Sequence, residues 1–470
     1  FLQPQFAEPF CVSLFNYCMF LQRVSVDAYL LRRAGAAACR GIKMTPWEDP
    51  QLIEAFDEEF EELAHFAAGS VVDCGFGYLD RNGAVDPSKP VELWITGRMT
   101  YVFALAALKG YDWAIPLVDH GIRCLSEGPM CDREHGGWYS GLVTEIVERE
   151  DGPHWKVVEP ANGGLKQAYA HAFVILSSSA ATVLGRPGAR ELLDRALADQ
   201  DQHWWEPEFG RVREAWNRDY TISEDYRGVN ANMHTVEAYL AAFDATGDRL
   251  WLDRARGICR FVADTAEQLR WRIPEHFDAE WNMLPEHNAD RPSDPFRPYG
   301  ATPGHGMEWA RLILHTRAAL IGLGDRDDWM VEAAEQLFNR SCADGWDRHG
   351  AGGFVYTTDW DGRAVVDTRM HWVLCEAVNS ACVLGRVHEE AGDASRVAEL
   401  SSLYAQWVDW ADRYLREATG RWIHEVDASG VESGTTWEGK ADAYHVAQML
   451  LLPQIGNTPC FALALKQLAE

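Results

Sequence analysis

The chain has 470 residues, with 43 Lys and Arg against 71 Asp and Glu, giving a net charge of −28. That balance argues against nucleic acid and against an anionic membrane surface as partners, and it suits a neutral small substrate. The 20 Trp mostly serve a core, with an excess that suits a sugar ligand, and the 11 Cys lack any C-x-x-C spacing and read as reduced thiols of a cytoplasmic protein.

Residues 1–43 differ in texture from the rest: locally basic, three Cys, no clear periodicity. They are set apart as a non-native or disordered extension, and 44–470 is expected to be a single domain. The apolar run Phe10 to Leu21 is interrupted, and Arg32 and Arg33 follow it, which is the wrong order for a secretory signal. No run is long enough to span a bilayer.

From Met44 onward the pattern is helix, break, helix. Apolar positions at helical spacing predict helices over 46–68, 92–110, 113–126, 166–184, 189–202 and 231–246. Six more follow over 250–266, 303–323, 328–343, 372–390, 395–417 and 442–452. Between them lie short Gly-rich aromatic stretches with strand character at 136–142, 353–366 and 420–433. The last two read as hairpins turning at Asp361-Gly362 and Ser429-Gly430. Buried strands do not alternate regularly with helices, so a parallel sheet is not expected. Twelve helices with hairpins on one side predict an all-α (α/α)6 barrel, against the alternative of an irregular helical array.

Polar residues suited to chemistry gather at the starts of alternate helices. In the stretch 297–309, Thr302 reads as an N-cap, Pro303 as the first helical residue, and His305 and Glu308 share a face. Asp442 reads as the cap before His445, and Asn230 leads to His234 and Glu237. Three histidines are therefore expected in first helical turns, where the positive helix end holds imidazole neutral and able to accept a proton. A lone His at a helix start is usually structural; three on alternate helices are harder to dismiss. Trp94 with Arg98, and Trp372 with Glu376, offer sugar platforms beside hydrogen-bonding groups. His171 opens the fourth predicted helix and could line the same mouth. The His-x-x-Glu spacings invite a di-metal alternative, but the flanking loops lack a carboxylate cluster, and no metal is expected.

At these motifs the chain resembles the N-acylglucosamine 2-epimerase superfamily, and within it the aldose–ketose isomerases that act on mannose or sulfoquinovose. The resemblance runs from about Pro46 to Pro453 and rests on LWITGRM at 93–99, NANMHTVEA at 230–238 and EHFDAEWN at 275–282. FRPYGATPGHGMEWARL at 296–312 and WEGKADAYH at 437–445 extend it. It implies an (α/α)6 barrel and an isomerase without metal or cofactor. It also implies active-site roles for His234, His305, His445, Arg98, Trp372 and Glu376. Where sulfoquinovose isomerases carry an Arg, this chain has Pro295. Where they carry a Gln, it reads Arg421 to Glu425 with His424. An uncompensated sulfonate is costly to bury, so the departures favour a neutral sugar. The expected function is interconversion of D-mannose, with D-lyxose as a smaller relative, and the ketose through a cis-enediol. His305, His445 and His234 would be catalytic. Arg98, Trp94, Asn230, Glu308, Trp372, Glu376, His171 and His424 would contact the sugar. The partner is a monosaccharide, and the protein a monomer or homodimer. A sugar 2-epimerase, a sulfoquinovose isomerase and an (α/α)6 glycoside hydrolase are the alternatives.

Overall fold

Helices buried on every side alternate along this chain with helices that are amphipathic, and that alternation builds the architecture. The computed structural model describes residues 44–470, so the segment 1–43 lies outside the described residues. Six outer–inner pairs follow one another from Pro46 onward. They are α1 (Pro50–Ala67) and α2 (Leu93–Leu108), α3 (Ile115–Ser126) and α4 (Ala168–Leu184), α5 (Ala189–Asp199) and α6 (Val229–Thr246). Then come α7 (Arg249–Gln268) and α8 (Pro303–Gly322), α9 (Trp329–Gly345) and α10 (His371–Ala391), and α11 (Ala394–Tyr414) and α12 (Tyr444–Ile455).

Every residue of α2 is buried, whereas α7 buries Trp251, Leu252, Ala255, Ile258, Cys259 and Val262 on one stripe. A helix apolar all round belongs inside, and a striped one belongs at the wall. The even-numbered helices pack in sequence, α2 on α4, α4 on α6, α6 on α8, α8 on α10 and α10 on α12, and α12 returns to α2. The inner ring is therefore closed, and the outer helices cover it, giving an (α/α)6 barrel. Gly97 permits one close approach: a Cβ there would lie 2.6 Å from Cβ of Phe173 and 2.9 Å from its carbonyl, so α2 and α4 could not pack as they do.

A second closed ring sets where the inner helices begin. Val91–Glu92 pairs with Gly141–Leu142, Lys166–Gln167 with Ala215–Trp216, Arg227–Gly228 with His276–Phe277, and Arg369–Met370 with Glu425–Val426. Single bridges join Ala301 to Thr358 and Leu79 to Lys440. Each of these short pairings ties the lead-in of one inner helix to the loop before the next. The six N-termini are thereby held at one mouth.

Several elements depart from the sequence expectation. A thirteenth helix, α13 (Phe461–Ala469), packs against α2, α4, α6 and α12, and Nζ of Lys466 donates to the Val183 carbonyl at 3.1 Å at the end of α4. It covers the end of the barrel opposite the mouth. Pro453 does not stop α12, which runs on to Ile455; the guanidinium of Arg386 takes up the carbonyls of Leu452 (3.2 Å) and Pro453 (2.7 Å). Of the expected strand at 136–142 only Gly141 and Leu142 are strand, at the start of a longer hairpin, Gly141–Arg149 with Gly152–Pro160, while Trp138 makes a single bridge to Cys131. Asp73 anchors it, accepting from the Trp155 N–H at 2.6 Å and lying 2.9 Å from Nδ1 of His154. The stretch 353–366 is a hairpin, Thr357–Thr358 with Ala364–Val366. The stretch 420–433 turns at Ser429-Gly430 as expected, with Val426 bridged to Glu432, but it is not a single hairpin: Arg421–Trp422 pairs back to Arg416–Ala418, while Glu425–Val426 crosses to Arg369–Met370. Among the described residues, no helix is long and apolar enough to cross a membrane.

Candidate active site

The mouth of the inner ring holds a cavity lined by residues from all its helices. Trp94 and Arg98 come from α2, Tyr169 from α4, Asn230 and His234 from α6, His305 and Glu308 from α8, His371 and Trp372 from α10, and His445 from α12. The loops add Pro295, Phe296, Tyr356, His424, Trp437 and Asp442. Rings of Trp94, Tyr169, Phe296 and Trp437 stand 5.1–6.4 Å apart as an aromatic collar at the rim, where Phe296 is 44% exposed.

His305 and His445 share one neighbour, Trp372, with ring centroids at 5.2 and 5.7 Å. Nδ1 of His305 lies 3.0 Å from both carboxylate oxygens of Glu275, and Nδ1 of His445 lies 2.9 Å from Oε1 of Glu376. A carboxylate accepts, so each Nδ1 carries its proton and each Nε2 keeps its lone pair for the cavity. Burial is the first cause holding the His445 pKa below the ordinary imidazole value, opposed by Glu376 and assisted by Arg98. For His234 burial again leads, followed by Arg98 and the other two histidines, and the value lies well below normal. For His445 and His234, burial is thus the leading cause that favours neutral imidazole. His234 also sits in the second turn of α6, deeper than expected. Its Nε2 lies 3.5 Å from Nη2 of Arg98, and its Nδ1 has no hydrogen-bond partner among the described residues.

Arg98 is gripped by Asp442, 3.0 Å from its Nη1, and by the rings of Phe173 and Tyr444, each 4.5 Å from its guanidinium carbon. Asp442 is not the helix cap: α12 starts at Tyr444, whose N–H donates to Asp442 at 2.8 Å. Beneath the cavity, buried Arg311 reaches Glu376 at 2.8 Å and Glu308 at 3.5 Å. Glu376 is held down to about 2, burial being outweighed by Arg311 and His445. Glu308 is pushed well above the carboxylate range by burial and by Glu376. The two buried carboxyl groups are thus pushed in opposite directions, Glu376 toward the anion and Glu308 toward the acid. Oε2 of Glu308 is buried without a partner among the described residues.

The cavity gathers most of the residues singled out in the sequence: His234, His305, His445, Arg98, Trp94, Asn230, Glu308, Trp372 and His424. Two expected sugar contacts lie elsewhere. His171 is turned away from the cavity: its Nδ1 donates to the Gln167 carbonyl at 2.8 Å, its Nε2 accepts the Trp138 N–H at 3.1 Å, and its ring packs on Trp204. Glu376 is fully buried behind His445 and touches that ring instead of the cavity. Glu275 and Arg311 went unassigned in the sequence although both fall inside the motifs at 275–282 and 296–312. Arg311 is three residues after Glu308 on one helix face, a spacing that could have revealed it. Glu275 precedes its inner helix by a long loop, and no local spacing links it to His305.

Glu308, Glu376 and His445 bring one donor atom each to within 4.8 Å of one another, near enough to suggest a metal. The guanidinium of Arg311 already supplies the cation there, and His445 spends its nearer nitrogen on Glu376.

The barrel and its histidine-lined, carboxylate-backed cavity define an enzyme of the sugar isomerase and epimerase class. The profile of the N-acylglucosamine 2-epimerase (GlcNAc 2-epimerase) family matches residues 74–449, and the chain belongs to that family. It is 44% identical over 427 residues to a D-mannose isomerase of Thermobifida fusca, covering 90% of this chain and 99% of that protein. It is 39% identical over 417 residues to a D-mannose isomerase of Pseudomonas cannabina pv. alisalensis, covering 87% and 94%. A crystal structure of a D-mannose isomerase shares the fold with a TM-score of 0.73 at 23% identity, covering 87% of this chain and 99% of that one.

Proposed function

We propose that this enzyme interconverts D-mannose and D-fructose, with D-lyxose as a smaller aldose substrate, by imidazole acid/base catalysis without metal or cofactor. The observation that carries this is the pair His305 and His445, each with Nδ1 on a carboxylate and both beside Trp372. The names of the relatives support the substrate. So do Pro295 and His424 in the cavity wall, since neither is a fixed cation suited to a sulfonate.

In the open-chain aldose, Nε2 of His445 takes the C2 hydrogen as a proton. The C–H electrons become the C1–C2 double bond, and O1 becomes the oxyanion of a cis-enediolate. Arg98 faces this charge with a donor already in place, which lowers the barrier more than a donor that must reorganise. His305 takes the proton from O2 and gives it to O1. The O2 lone pair then forms the ketone, and C1 takes the proton back from His445. The imidazolium made in the first step is matched by the Glu376 anion behind it. Glu308 lines the cavity, and its Oε2, unpartnered among the described residues, meets a sugar hydroxyl. Positioned acid/base groups of this kind each supply about 10²–10⁴-fold. The test is incubation of purified enzyme with mannose, followed by NMR: fructose supports the proposal, and glucose without fructose assigns a 2-epimerase instead.

A further inference from the structure

Arg311 lies outside the cavity and has no place in the proton transfers above, yet it is fully buried among three carboxyl groups. Its Nε is 2.8 Å from Oε2 of Glu376, its Nη2 3.5 Å from Oε1 of Glu308, and its Nη1 3.8 Å from Oε1 of Glu237. Glu237 is occupied by other donors, Nε2 of Gln448 at 2.7 Å and the Tyr444 hydroxyl. The close, charge-assisted bond therefore goes to Glu376, whose other oxygen meets Nδ1 of His445 at 2.9 Å. Arg311, Glu376 and His445 form one line ending at the cavity.

We propose that Arg311 is a positioning residue that selects the tautomer of His445, a role that rests on His445 being the base for C2. With the guanidinium against it, Glu376 can only accept, so the His445 proton stays on Nδ1 and Nε2 remains free to take the substrate proton. Without the guanidinium, a carboxyl buried this deeply takes up a proton. It then donates to Nδ1, and the His445 proton moves to Nε2, which faces the sugar and can no longer accept. The cost of the wrong tautomer in a hydrogen-bonded histidine is large; in the serine-protease triad, replacing the aspartate behind the histidine lowers kcat about 10⁴-fold. Arg311 does this without touching substrate.

The readout is exchange of the sugar C2 hydrogen in D2O, which an isomerase and a 2-epimerase share. It therefore reports on His445 whether or not fructose is the product. Arg311→Met is expected to slow exchange about 100-fold with little change in KM, within the span of one acid/base group. Arg311→Lys restores at least ten-fold of that loss. Two-dimensional ¹H–¹⁵N NMR of the histidine rings, with His445→Gln to assign the signal, shows the Nδ1–H tautomer in the parent enzyme and the Nε2–H tautomer in Arg311→Met. If Arg311→Met does not fold, Glu376→Gln is compared with Arg311→Met/Glu376→Gln, since removing both members of a buried pair is often tolerated. Equal exchange rates in those two support action through Glu376. A further ten-fold loss in the double variant, or an Nδ1–H signal persisting in Arg311→Met, overturns the proposal.

Discussion

Glu376 accepts the Nδ1 proton of His445 at 2.9 Å, and Glu275 meets His305 in the same way at 3.0 Å. The two imidazoles come from different inner helices, and their carboxylates from α10 and from the long loop between α7 and α8. Because the pairs are separate, they can be broken separately. Glu275→Gln keeps the shape but removes the charge behind His305. Steady-state kinetics should show kcat lowered about 100-fold, in the range of a positioned acid/base group, and KM for mannose little changed. An unchanged kcat would remove His305 from the proton path.

Acid should act on this protein through its buried histidines. Burial first of all lowers His171 and His276 to about 4 and His315 and His371 to about 3. The unfolded chain titrates near 6.5, so it binds more protons than the native state between these values. The stability contributed is complete above about pH 6.5 and is lost as pH falls through the folded values. Thermal melting between pH 7 and pH 4 should show a progressive fall in Tm. The same direction of shift at His445 keeps its base form present below the ordinary imidazole range. The acid limb of kcat/KM should accordingly lie below pH 6.5.

Metal removal should leave the rate unchanged. The carboxylate corner that could attract a cation already contains Arg311, 2.8 Å from Glu376. Dialysis against EDTA, followed by assay with and without added Mg²⁺, Mn²⁺ or Zn²⁺, checks this. A loss restored by one of these ions would contradict it.

Gly304 is tied to the site by space. A Cβ there would lie 2.5 Å from Cζ3 of Trp372 and 2.8 Å from Cγ2 of Val373. Gly304→Ala must displace the ring that packs on both His305 and His445. Overpacking of this kind costs typically about 1–3 kcal/mol, so chemical denaturation should show a loss of that size. KM for mannose should rise several-fold.

The fold was legible because the helices declare themselves twice, by period and by whether one face or all faces are apolar. What escaped was non-local. α13 follows the last expected helix, 442–452, and its role is visible only once the ends of α2, α4 and α6 lie side by side. The long hairpin after Gly141 carries Glu145, Glu148, Arg149, Glu150 and Asp151, and this charge hides its alternation. At the site, His305 and His445 could be found from their places at helix starts, whereas His234 lies one turn further in. His171 satisfied the same rule and misled, because a ring at the start of an inner helix can turn outward as well as inward. Glu275 and Arg311 act through other side chains, and their partners are set by packing between helices, which spacing along one helix cannot reveal.

In the proposed reaction one proton moves between neighbouring carbons of a single sugar bound against His305, His445 and Trp372. Mannose incubated with the enzyme in D2O and followed by ¹H and ¹³C NMR tests this directly. Fructose should form, carrying deuterium at C1 wherever the proton on His445 exchanges with solvent before its return, and neither product nor label should appear with His445→Ala. Deuterium confined to C2 of mannose and glucose, with no fructose formed, would contradict it.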